Sequence, residues 1–472
     1  MTKDFMLIGE RTFSIKDQLD FADFSGDHNP IHIDIIEARK TMIGGCVVHG
    51  INGLLWALNC LYIQMNFNLK SVKATFNNPI YIDTKVTCLL NLEKKIIKLV
   101  LPDNTISYLI RYEIYSGDTK KTQNYPLPSL GTLTSPKKIH IENLDLGHSY
   151  PSKFGGDLGI ASKLYGQLSK NLGADTIYEV AILSNIVGMQ IPGLHSLFLE
   201  CEISLHNRQP SLNPCYRLTK VDERFGLIHI KYTGCNLLSK MITLERPHYE
   251  SKKCSVIEEA LPLSINLKDQ RILVIGGSRG LGAAFAKVST MLGAEVTITY
   301  AQGHSDAKNV LDDIKSYSDI DIQAIPLNVT SALEIEAIDL DYDILCYFAS
   351  PKISPTKGEF EQDLFDNFYV FYCKSFERIA RRFSDCGGKK IYWPSTIFLE
   401  ENNKDFSEYI AAKKVGENIC KNLASETTLK VFFQRLDKIS TDQTLSLISI
   451  PMLDAVSVAI DIAKLLDEGN QK

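Results

Sequence analysis

The chain has 472 residues, a formal net charge of −5, 44% hydrophobic residues and 23% charged residues. This composition is that of ordinary globular domains, and the slightly acidic balance argues against nucleic acid or an anionic membrane surface as a partner. At about 100–200 residues per domain, the length predicts two to four domains.

The cysteines and the N-terminal residues indicate where the protein is found. The eleven cysteines include no CxxC pair and no zinc-finger spacing, so we expect reduced thiols and no metal site. The first residues lack the pattern of a signal peptide, and no run of about 18 apolar residues could span a membrane. We therefore expect a cytoplasmic protein that does not enter a membrane.

Residues 1–135 are predicted to form an α+β domain. After a polar, turn-rich stretch at 23–30, the run 51–63 is apolar almost all round, which is typical of a buried helix. Alternating or apolar runs then predict four strands, at 72–76, 85–92, 95–101 and 107–115. One buried helix wrapped by antiparallel strands is the expected arrangement.

Residues 140–250 repeat this order in a degenerate form. A helix is predicted at 177–189, before Pro192-Gly193, and strands are predicted at 195–205, 215–221 and 227–232. Copies of a unit that buries one helix against one sheet tend to pair, because pairing covers sheet edges and apolar surface. We expect the two copies to associate in this way.

A different pattern begins after residues 251–267, which are predicted to be a linker. In the third domain, 266–472, a strand at 271–275 is followed by a glycine-rich turn, an amphipathic helix, and further strands at 295–300 and 322–327. Strands that alternate with helices predict a doubly wound parallel sheet of the Rossmann type. The predicted fold class is thus a duplicated α+β region followed by an α/β domain.

The first candidate site centres on Asp27 and His32. They lie on either side of Asn29-Pro30, a turn-forming dipeptide that can bring a carboxylate and an imidazole together. Such a pair can hold a water molecule and move its protons. Gly50 directly precedes the apolar helix, where its N–H could bind a carbonyl oxygen. The alternative is a capped turn with incidental polar residues.

The string SGDHNPIH at 25–32, followed by VHG at 48–50 and an apolar helix, resembles the MaoC-like (R)-specific enoyl-CoA hydratases of the hotdog fold. The resemblance covers roughly the first 115 residues. It implies that Asp27 and His32 activate water, that Asn29 orders the loop, and that Gly50 binds the thioester oxygen. The second copy lacks this string and has His195 without a nearby carboxylate, so it is expected to be structural and to shape the acyl groove of a double hotdog.

The second candidate site begins with the glycine-rich loop of the third domain. Gly276, Gly280 and Gly282 leave room for a phosphate beside the backbone, at the N-terminus of a helix. Downstream, Tyr409 and Lys413 share one helix face at i, i+4 spacing. A lysine there is expected to lower the pKa of the phenol, which suits proton exchange between a carbonyl and an alcohol.

These features resemble the short-chain dehydrogenase/reductase family over roughly the last 200 residues. The resemblance implies a substrate-binding hydroxyl from Ser395 or Thr396. It also implies cofactor contacts from Gly276, Gly277, Ser278, Arg279, Gly280, Leu281, Gly282, Tyr300, Asn328, Val329, Ala349 and Lys413. The chain departs from the family at two places. Tyr347-Phe-Ala-Ser350 stands where the family has Asn-Asn-Ala-Gly. The family's proton relay uses an asparagine on a helix, and in this chain Asn367, Tyr369 and Phe371 fit its position equally well.

The cofactor is predicted to be NADP, with NAD possible. Enzymes that prefer NAD carry an acidic residue about 20 residues past the glycines, and this chain has Thr299-Tyr300-Ala301 instead. Arg279 offers a cation to a 2′-phosphate.

Together, the two resemblances imply a bifunctional enzyme acting on CoA or acyl-carrier-protein thioesters. One half would reduce 3-oxoacyl groups with NADPH, and the other would interconvert (R)-3-hydroxyacyl and 2-enoyl groups; a homo-oligomer is expected. The alternatives are an oxidative hydratase–dehydrogenase, a hydratase with a non-catalytic nucleotide-binding module, and an acyl-binding scaffold with reductase activity only.

Overall fold

The computed structural model describes residues 5–115, 125–127, 133–152, 156–205, 213–318, 320, 322–353, 355–356, 359–401, 403–447 and 450–468. The chain divides into two compact units, Met1–His248 and Tyr249–Lys472. The first unit therefore contains both predicted α+β copies, and the second contains the predicted α/β domain.

The first unit is built on one ten-stranded sheet. Its strands are β1 (Met6–Thr12), β2 (Leu69–Phe76), β3 (Lys85–Asn91), β4 (Ile96–Val100), β5 (Ile106–Ile114), β6 (Ser149–Pro151), β7 (Ser196–Leu205), β8 (Cys215–Asp222), β9 (Leu227–Thr233) and β10 (Leu237–Glu245). They are ordered β1-β3-β4-β5-β2-β7-β10-β9-β8-β6. The two halves of this order correspond when the second is read from its far end: β6, β8, β9, β10 and β7 occupy the positions of β1, β3, β4, β5 and β2. A repeated unit is expected to show this correspondence.

The two halves join where β2 pairs antiparallel with β7, in a register that sets Ser71 opposite Ser204. Pairing these two strands removes a free sheet edge from each half. Buried residues from both halves, including Leu54, Ile97, Ile182 and Ile230, belong to a single hydrophobic core. The two copies detected in the sequence therefore form one compact unit with a shared core.

The helices of the first unit lie mainly against the sheet. They are α1 (Ile15–Ser25), α2 (Pro30–Ile33), α3 (Ile35–Ala38), α4 (Gly50–Gln64), α5 (Ala161–Leu164), α6 (Gly166–Leu172) and α7 (Ala174–Asn185), with 3₁₀ turns at Ile141–Asn143 and Leu158–Ile160 and a π-helical turn at Ile186–Gln190. The helices α4 and α7 are the two predicted buried helices, and most of their side chains are enclosed.

The elements of the first unit that were not predicted include β1, α1 and β10. The helix α1 has a capping box in which Ser14 and Asp17 exchange hydrogen bonds, a local signal that the sequence contains. Its last turn occupies the start of the stretch predicted as turn-rich. The strand β1 alternates weakly between buried and exposed positions, because it is an edge strand of the sheet.

The second unit contains a six-stranded parallel sheet and a two-stranded ribbon. The strands are β11 (Arg271–Ile275), β12 (Glu295–Tyr300), β13 (Gln323–Pro326), β14 (Ile344–Tyr347), β15 (Lys390–Thr396) and β16 (Lys430–Leu436), with β17 (Ile439–Ser440) and β18 (Leu453–Asp454) in the ribbon. The sheet order is β13-β12-β11-β14-β15-β16, with every pair parallel. This is the doubly wound Rossmann order, which confirms the predicted parallel sheet.

Helices cover this sheet. They are α8 (Cys254–Ile257), α9 (Gly280–Met291), α10 (His304–Tyr317), α11 (Ala332–Ala337), α12 (Gln362–Tyr369), α13 (Phe376–Asp385), α14 (Phe398–Glu401), α15 (Ser407–Glu426) and α16 (Ala455–Glu468), with 3₁₀ turns at Glu258–Ala260 and Lys404–Phe406 and a π-helical turn at Val370–Ser375. No helix in the described parts of the chain is long and apolar enough to cross a membrane.

The stretch 251–267 differs from the predicted linker. It contains α8, and Cys254, Ile257, Ile265 and Leu267 are buried in a hydrophobic core of the second unit. These apolar side chains are widely spaced among polar ones, so the sequence shows no clear period. The stretch is therefore part of the second unit.

Candidate active sites

The loop that carries Asp27 is shaped by caps at both of its ends. Gly26 ends α1 in a left-handed conformation (φ 70°), and its N–H donates to the carbonyl of Ala22. Asn29 begins α2, where its side chain accepts a hydrogen bond from the N–H of Ile31 and Pro30 takes the first helical position. Asp27 lies in the short segment between these caps, and His32 lies in α2 just after it.

Asp27 is almost fully enclosed, with 1% of its surface exposed. Ser184 Oγ donates to its Oδ2 at 2.6 Å, and the Asn29 N–H donates to its Oδ1 at 3.2 Å. Burial raises the pKa of Asp27 to about 7, against the opposing effect of these two hydrogen bonds. Gly188 packs so closely that a Cβ there would lie 2.3 Å from Asp27 Oδ1.

His32 lies in α2 and is partly exposed. Its Nδ1 is 2.8 Å from the carbonyl oxygen of Val47, and because a carbonyl can only accept, Nδ1 carries the proton. Burial lowers the pKa of His32 to about 4, so the ring is neutral near pH 7 and Nε2 presents a lone pair. The ring stacks on His49 at a centroid distance of 3.8 Å.

His49 lies beside this pair and is held by hydrogen-bond contacts. It is fully buried, and its ring nitrogens each lie 3.0 Å from an oxygen, Gln18 Oε1 on one side and the Asp27 carbonyl on the other. One ligand-type atom from each of Asp27, His32 and His49 falls within 4.8 Å of the others, a spacing that a metal ion could bridge. Because both nitrogens of His49 already contact protein oxygens, we assign the cluster to proton transfer.

The second copy holds this motif in place. Asn29 Nδ2 donates to the carbonyl oxygens of Gly188 and Gly193, at 2.8 and 3.1 Å. In the reverse direction, Asn185 Nδ2 donates to the carbonyl of Gly26 at 2.6 Å. Sequence analysis did not identify Ser184 or Asn185, because they lie in an apolar helix and resemble no catalytic motif.

Gly50 is the first residue of α4, as predicted. The preceding residue, His49, provides no side-chain cap for the first N–H groups of the helix. A Cβ at Gly50 would lie 3.3 Å from the ring of Phe76, which leaves little room for a larger residue. This geometry suits a carbonyl oxygen at the positive end of the helix dipole.

The glycine-rich loop of the second unit runs from the end of β11 into α9. Gly276 and Gly280 have positive φ, 79° and 57°, which favours glycine. A Cβ at Gly276 would lie 2.8 Å from the amide nitrogen of Ala349, and one at Gly282 would lie 2.3 Å from the Gly276 carbonyl oxygen. These residues therefore fit a phosphate-binding turn of a dinucleotide cofactor.

The other predicted cofactor residues lie around the same edge of the sheet. Gly277 and Ser278 belong to the loop, Leu281 is in the first turn of α9, Tyr300 ends β12, Asn328 and Val329 follow β13, and Ala349 follows β14. The carboxyl ends of neighbouring parallel strands meet at one edge, which is where ligands bind in such sheets.

The guanidinium of Arg279, at this edge of the sheet, is held by the carboxylate of Asp442. Its Nη1 donates to Asp442 Oδ2 at 2.5 Å, and 27% of the arginine side chain is exposed. Asp442 is itself buried, and burial raises its pKa while the guanidinium opposes the rise. The predicted contact of Arg279 with a 2′-phosphate would therefore use the donors that Asp442 leaves open.

The structure distinguishes between the two candidate hydroxyls near Tyr409. Ser395 Oγ donates to Glu417 Oε1 at 2.6 Å, and that carboxylate also binds Arg435. Thr396 instead shares a side-chain hydrogen bond with Tyr409. Of the two residues, Thr396 is thus the one beside the phenol.

Lys413 does not have the effect that sequence analysis predicted. Burial raises the pKa of Tyr409 to about 12, and Lys413 is not among the groups that lower it. Lys413 Nζ donates to the Pro394 carbonyl at 2.7 Å and lies over the rings of Tyr372 and Trp393, at 4.0 and 4.4 Å from their centroids. Burial lowers the pKa of Lys413 to about 7. Near neutral pH its amine is therefore only partly protonated, and it stabilises a phenolate less than a full positive charge would.

Tyr372, which is not one of the predicted relay candidates, lies beside Tyr409. Its hydroxyl is 2.6 Å from Ser350 Oγ, and its ring lies 5.7 Å from that of Tyr409. The candidates Asn367 and Tyr369 are exposed instead. The backbone carbonyl of the third candidate, Phe371, accepts a hydrogen bond from the Tyr347 hydroxyl at 2.7 Å. The π-helical turn Val370–Ser375 shifts the helical register, which residue spacing alone could not predict.

Comparisons with known proteins agree with the two motifs. Residues 4–110 match the family described as MaoC like domain. A short chain dehydrogenase of Emericella nidulans, mdpC, is 26% identical over 170 residues, which is 34% of this chain and 64% of the relative. This chain therefore spans less than two thirds of the length of that relative.

Solved structures with partial similarity include two reductase-type proteins. A short chain dehydrogenase from Burkholderia cenocepacia in complex with NADP is 20% identical, with a TM-score of 0.39 over 43% of this chain and 92% of that one. L-Sorbose reductase from Gluconobacter frateurii, complexed with NADPH and L-sorbose, is 16% identical, with a TM-score of 0.39 over 44% and 92% of the two chains.

The family match covers the motif of the first unit, and the Rossmann strand order of the second unit was established from its own pairing. The chain combines a MaoC-like domain at residues 4–110 with a Rossmann-type unit similar to the short-chain dehydrogenases.

Proposed function

We propose that this chain is a bifunctional enzyme acting on acyl thioesters. Its first unit, a double hotdog, interconverts (R)-3-hydroxyacyl and trans-2-enoyl thioesters, and its second unit reduces 3-oxoacyl thioesters with NADPH. The observation that carries the proposal is the placement of buried Asp27 and partly exposed His32 within 4.8 Å of each other, with pKa values of about 7 and about 4 that give them complementary proton states near neutral pH.

In the hydration direction, neutral His32 accepts a proton at Nε2 from a water molecule whose oxygen bonds to C3 of the enoyl group. The protonated carboxyl of Asp27 donates its proton to C2, so that water is added across the double bond. A proton passing from His32 to Asp27 restores the starting state. The N–H groups at the start of α4, with Gly50 first, stabilise the charge that develops on the thioester oxygen.

In the second unit, Tyr409 donates a proton to the substrate oxygen while Thr396 holds that oxygen. A phenol with a pKa of about 12 keeps its proton at physiological pH, which favours reduction of a carbonyl over oxidation of an alcohol. NADPH, when bound along the loop from Gly276 to Gly282, would supply the hydride.

The two activities suit one chain because both act on the 3-hydroxyacyl thioester. Holding the two sites in a single molecule raises the local concentration of that shared intermediate. The lack of an acidic residue after β12 and the presence of Arg279 support NADPH, and hence the direction of reduction followed by dehydration.

The test is a pair of assays on the full chain. Hydration of crotonyl thioester is followed by loss of enoyl absorbance, and reduction of acetoacetyl thioester by oxidation of NADPH or NADH. We expect both activities, with Asp27→Asn lacking only the first and Tyr409→Phe lacking only the second. If wild-type protein performs neither reaction with any chain length on either carrier, the proposal fails.

A second candidate function is an active hydratase with a non-catalytic nucleotide-binding module. The observation that favours it is the position of Lys413 Nζ, which donates to the Pro394 carbonyl and lies closer to the ring centroids of Tyr372 and Trp393, at 4.0 and 4.4 Å, than to that of Tyr409, at 5.7 Å. This candidate predicts that the protein binds NADPH and hydrates crotonyl thioester, but never oxidises NADPH with any 3-oxoacyl thioester.

A further inference from the structure

A buried arginine lies next to the proposed hydratase site and takes no part in the chemistry described above. Arg246 directly follows β10, and 4% of its surface is exposed. Its Nη2 donates to the Leu194 carbonyl at 2.7 Å, and its backbone N–H donates to the His195 carbonyl at 2.8 Å. These two contacts attach it to the loop that enters β7.

The positive charge of Arg246 is not matched by a carboxylate among the residues that the structure describes. Its Nε is buried without a hydrogen-bond partner. The neighbouring acid, Glu245, is used elsewhere, since it pairs with His140 at 3.1 Å and accepts from the Ile141 N–H at 2.8 Å. Removing a guanidinium from water without an anionic partner is unfavourable, and here burial lowers its pKa to about 10.

The arginine is adjacent to the catalytic motif. The carbonyl oxygen of Leu194 that accepts from Arg246 also lies 3.4 Å from Asn29 Nδ2, so both side chains meet at one atom. The positive charge of Arg246 contributes to the lowered pKa of His32. The guanidinium therefore belongs to the neighbourhood of the reacting carbons.

The surroundings of Arg246 are electropositive. His195 Nδ1 is buried without a partner, and its ring stacks on His248 at 4.1 Å. After burial, the groups that lower the pKa of His195 are His248, Arg246, Lys138 and His140, all of them bases. An anion placed here would meet donors on several sides.

We infer that Arg246, with His195 beside it, binds a carboxylate carried on the acyl chain of the substrate. The inference rests on the proposed hydratase function and narrows its substrate class to enoyl monothioesters of dicarboxylic acids. A planar guanidinium matches a carboxylate through paired hydrogen bonds, and the ligand's charge would compensate for the buried cation. The phosphates of the carrier are a poorer match, because the long pantetheine arm separates them from the reacting carbons.

The inference is tested by comparing acyl groups on one carrier. Crotonyl-CoA is the neutral substrate, and the CoA monothioesters of fumarate and glutaconate carry a carboxylate at two distances from the double bond. We expect wild-type kcat/KM to favour one carboxylated substrate over crotonyl-CoA by about tenfold or more, the effect of a charge-assisted hydrogen bond. This ratio should fall to about one in Arg246→Gln and be partly kept in Arg246→Lys.

Arg217→Gln is the matched control, because Arg217 is an exposed arginine on β8 of the same unit. We expect it to keep the wild-type ratio. If wild-type protein shows no preference for a carboxylated substrate, or if Arg246→Gln lowers kcat/KM equally for both kinds of substrate, the inference is overturned.

A binding measurement makes the test independent of variant folding and of turnover. Calorimetric titration of the wild-type full chain with saturated analogues, succinyl-CoA and butyryl-CoA, should give tighter binding of succinyl-CoA by about tenfold. Equal affinities would overturn the inference even if crotonyl-CoA is hydrated. Tighter succinyl-CoA binding without any hydration would instead support the anion site and count against the hydratase proposal.

Discussion

Ser184 Oγ and Asp27 Oδ2 form a 2.6 Å hydrogen bond between residues that are 157 positions apart in the chain. Asp27 belongs to the hydratase-like motif of the first copy, whereas Ser184 lies in α7 of the second copy, which has no such motif. The degenerate copy therefore supplies contacts that orient the carboxylate.

Asp27→Asn and His32→Ala should each reduce hydration of a trans-2-enoyl thioester by about 100-fold or more, because each removes one partner of the proton transfer. The assay is the absorbance of crotonyl thioester. NADPH binding and the thermal unfolding profile serve as controls, since both variants leave the second unit unchanged. Wild-type hydratase turnover in either variant would contradict the assignment.

Ser184→Ala should lower hydratase kcat by about tenfold, because the carboxylate loses the hydrogen bond that orients it. That bond also lowers the pKa of Asp27, so its loss should move the alkaline limb of the pH profile to higher pH. Ser184→Thr, which keeps the hydroxyl, should restore both properties. A fall in kcat with an unmoved pH profile would instead indicate a packing role.

Hydratase kcat/KM should follow a bell-shaped pH profile that peaks at about pH 5–6 and falls to half near pH 4 and near pH 7. His32 acts as the base and must be neutral, which holds above its pKa of about 4. Asp27 acts as the acid and must be protonated, which holds below its pKa of about 7. An activity that rises through pH 7 would contradict the role of Asp27 as the acid.

Arg279→Ala should weaken NADPH binding more than NADH binding, by about 1.5–3 kcal/mol, the contribution of a hydrogen bond to a charged group. Fluorescence titration with both cofactors measures the difference. Asp442→Asn is the companion variant, since it keeps Arg279 but weakens the ion pair that positions it. Equal losses for both cofactors in Arg279→Ala would argue against a 2′-phosphate contact.

Tyr409→Phe should abolish reduction of a 3-oxoacyl thioester, because the phenolic proton donor is lost. Thr396→Ala should reduce the same activity strongly, since Thr396 is hydrogen-bonded to Tyr409. Ser395→Ala should mainly reduce thermal stability, because its hydroxyl is bound to Glu417. Loss of reduction in Ser395→Ala with an intact Thr396→Ala would reverse this assignment.

Local patterns predicted both buried helices and seven of the ten strands of the first unit, and the first three strands of the second. The strands β11 and β12 begin and end at the predicted residues, and the buried helices α4 and α7 lie within a few residues of their predicted bounds. Such elements are recognisable because apolar period and turn residues depend on neighbours in sequence. The edge strand β1 was missed, because an edge position weakens that period.

By itself, the sequence determined the two fold types and the residues that could do the chemistry: Asp27, His32, Tyr409 and the glycine loop. Tertiary structure alone decided which groups surround them. Ser184 reaches Asp27 from a distant helix, Thr396 rather than Ser395 meets Tyr409, and a π-helical turn brings Tyr372 beside Lys413. Burial then set the proton states, because the pKa of a side chain depends on how many water contacts the fold removes, and no short stretch of sequence carries that information.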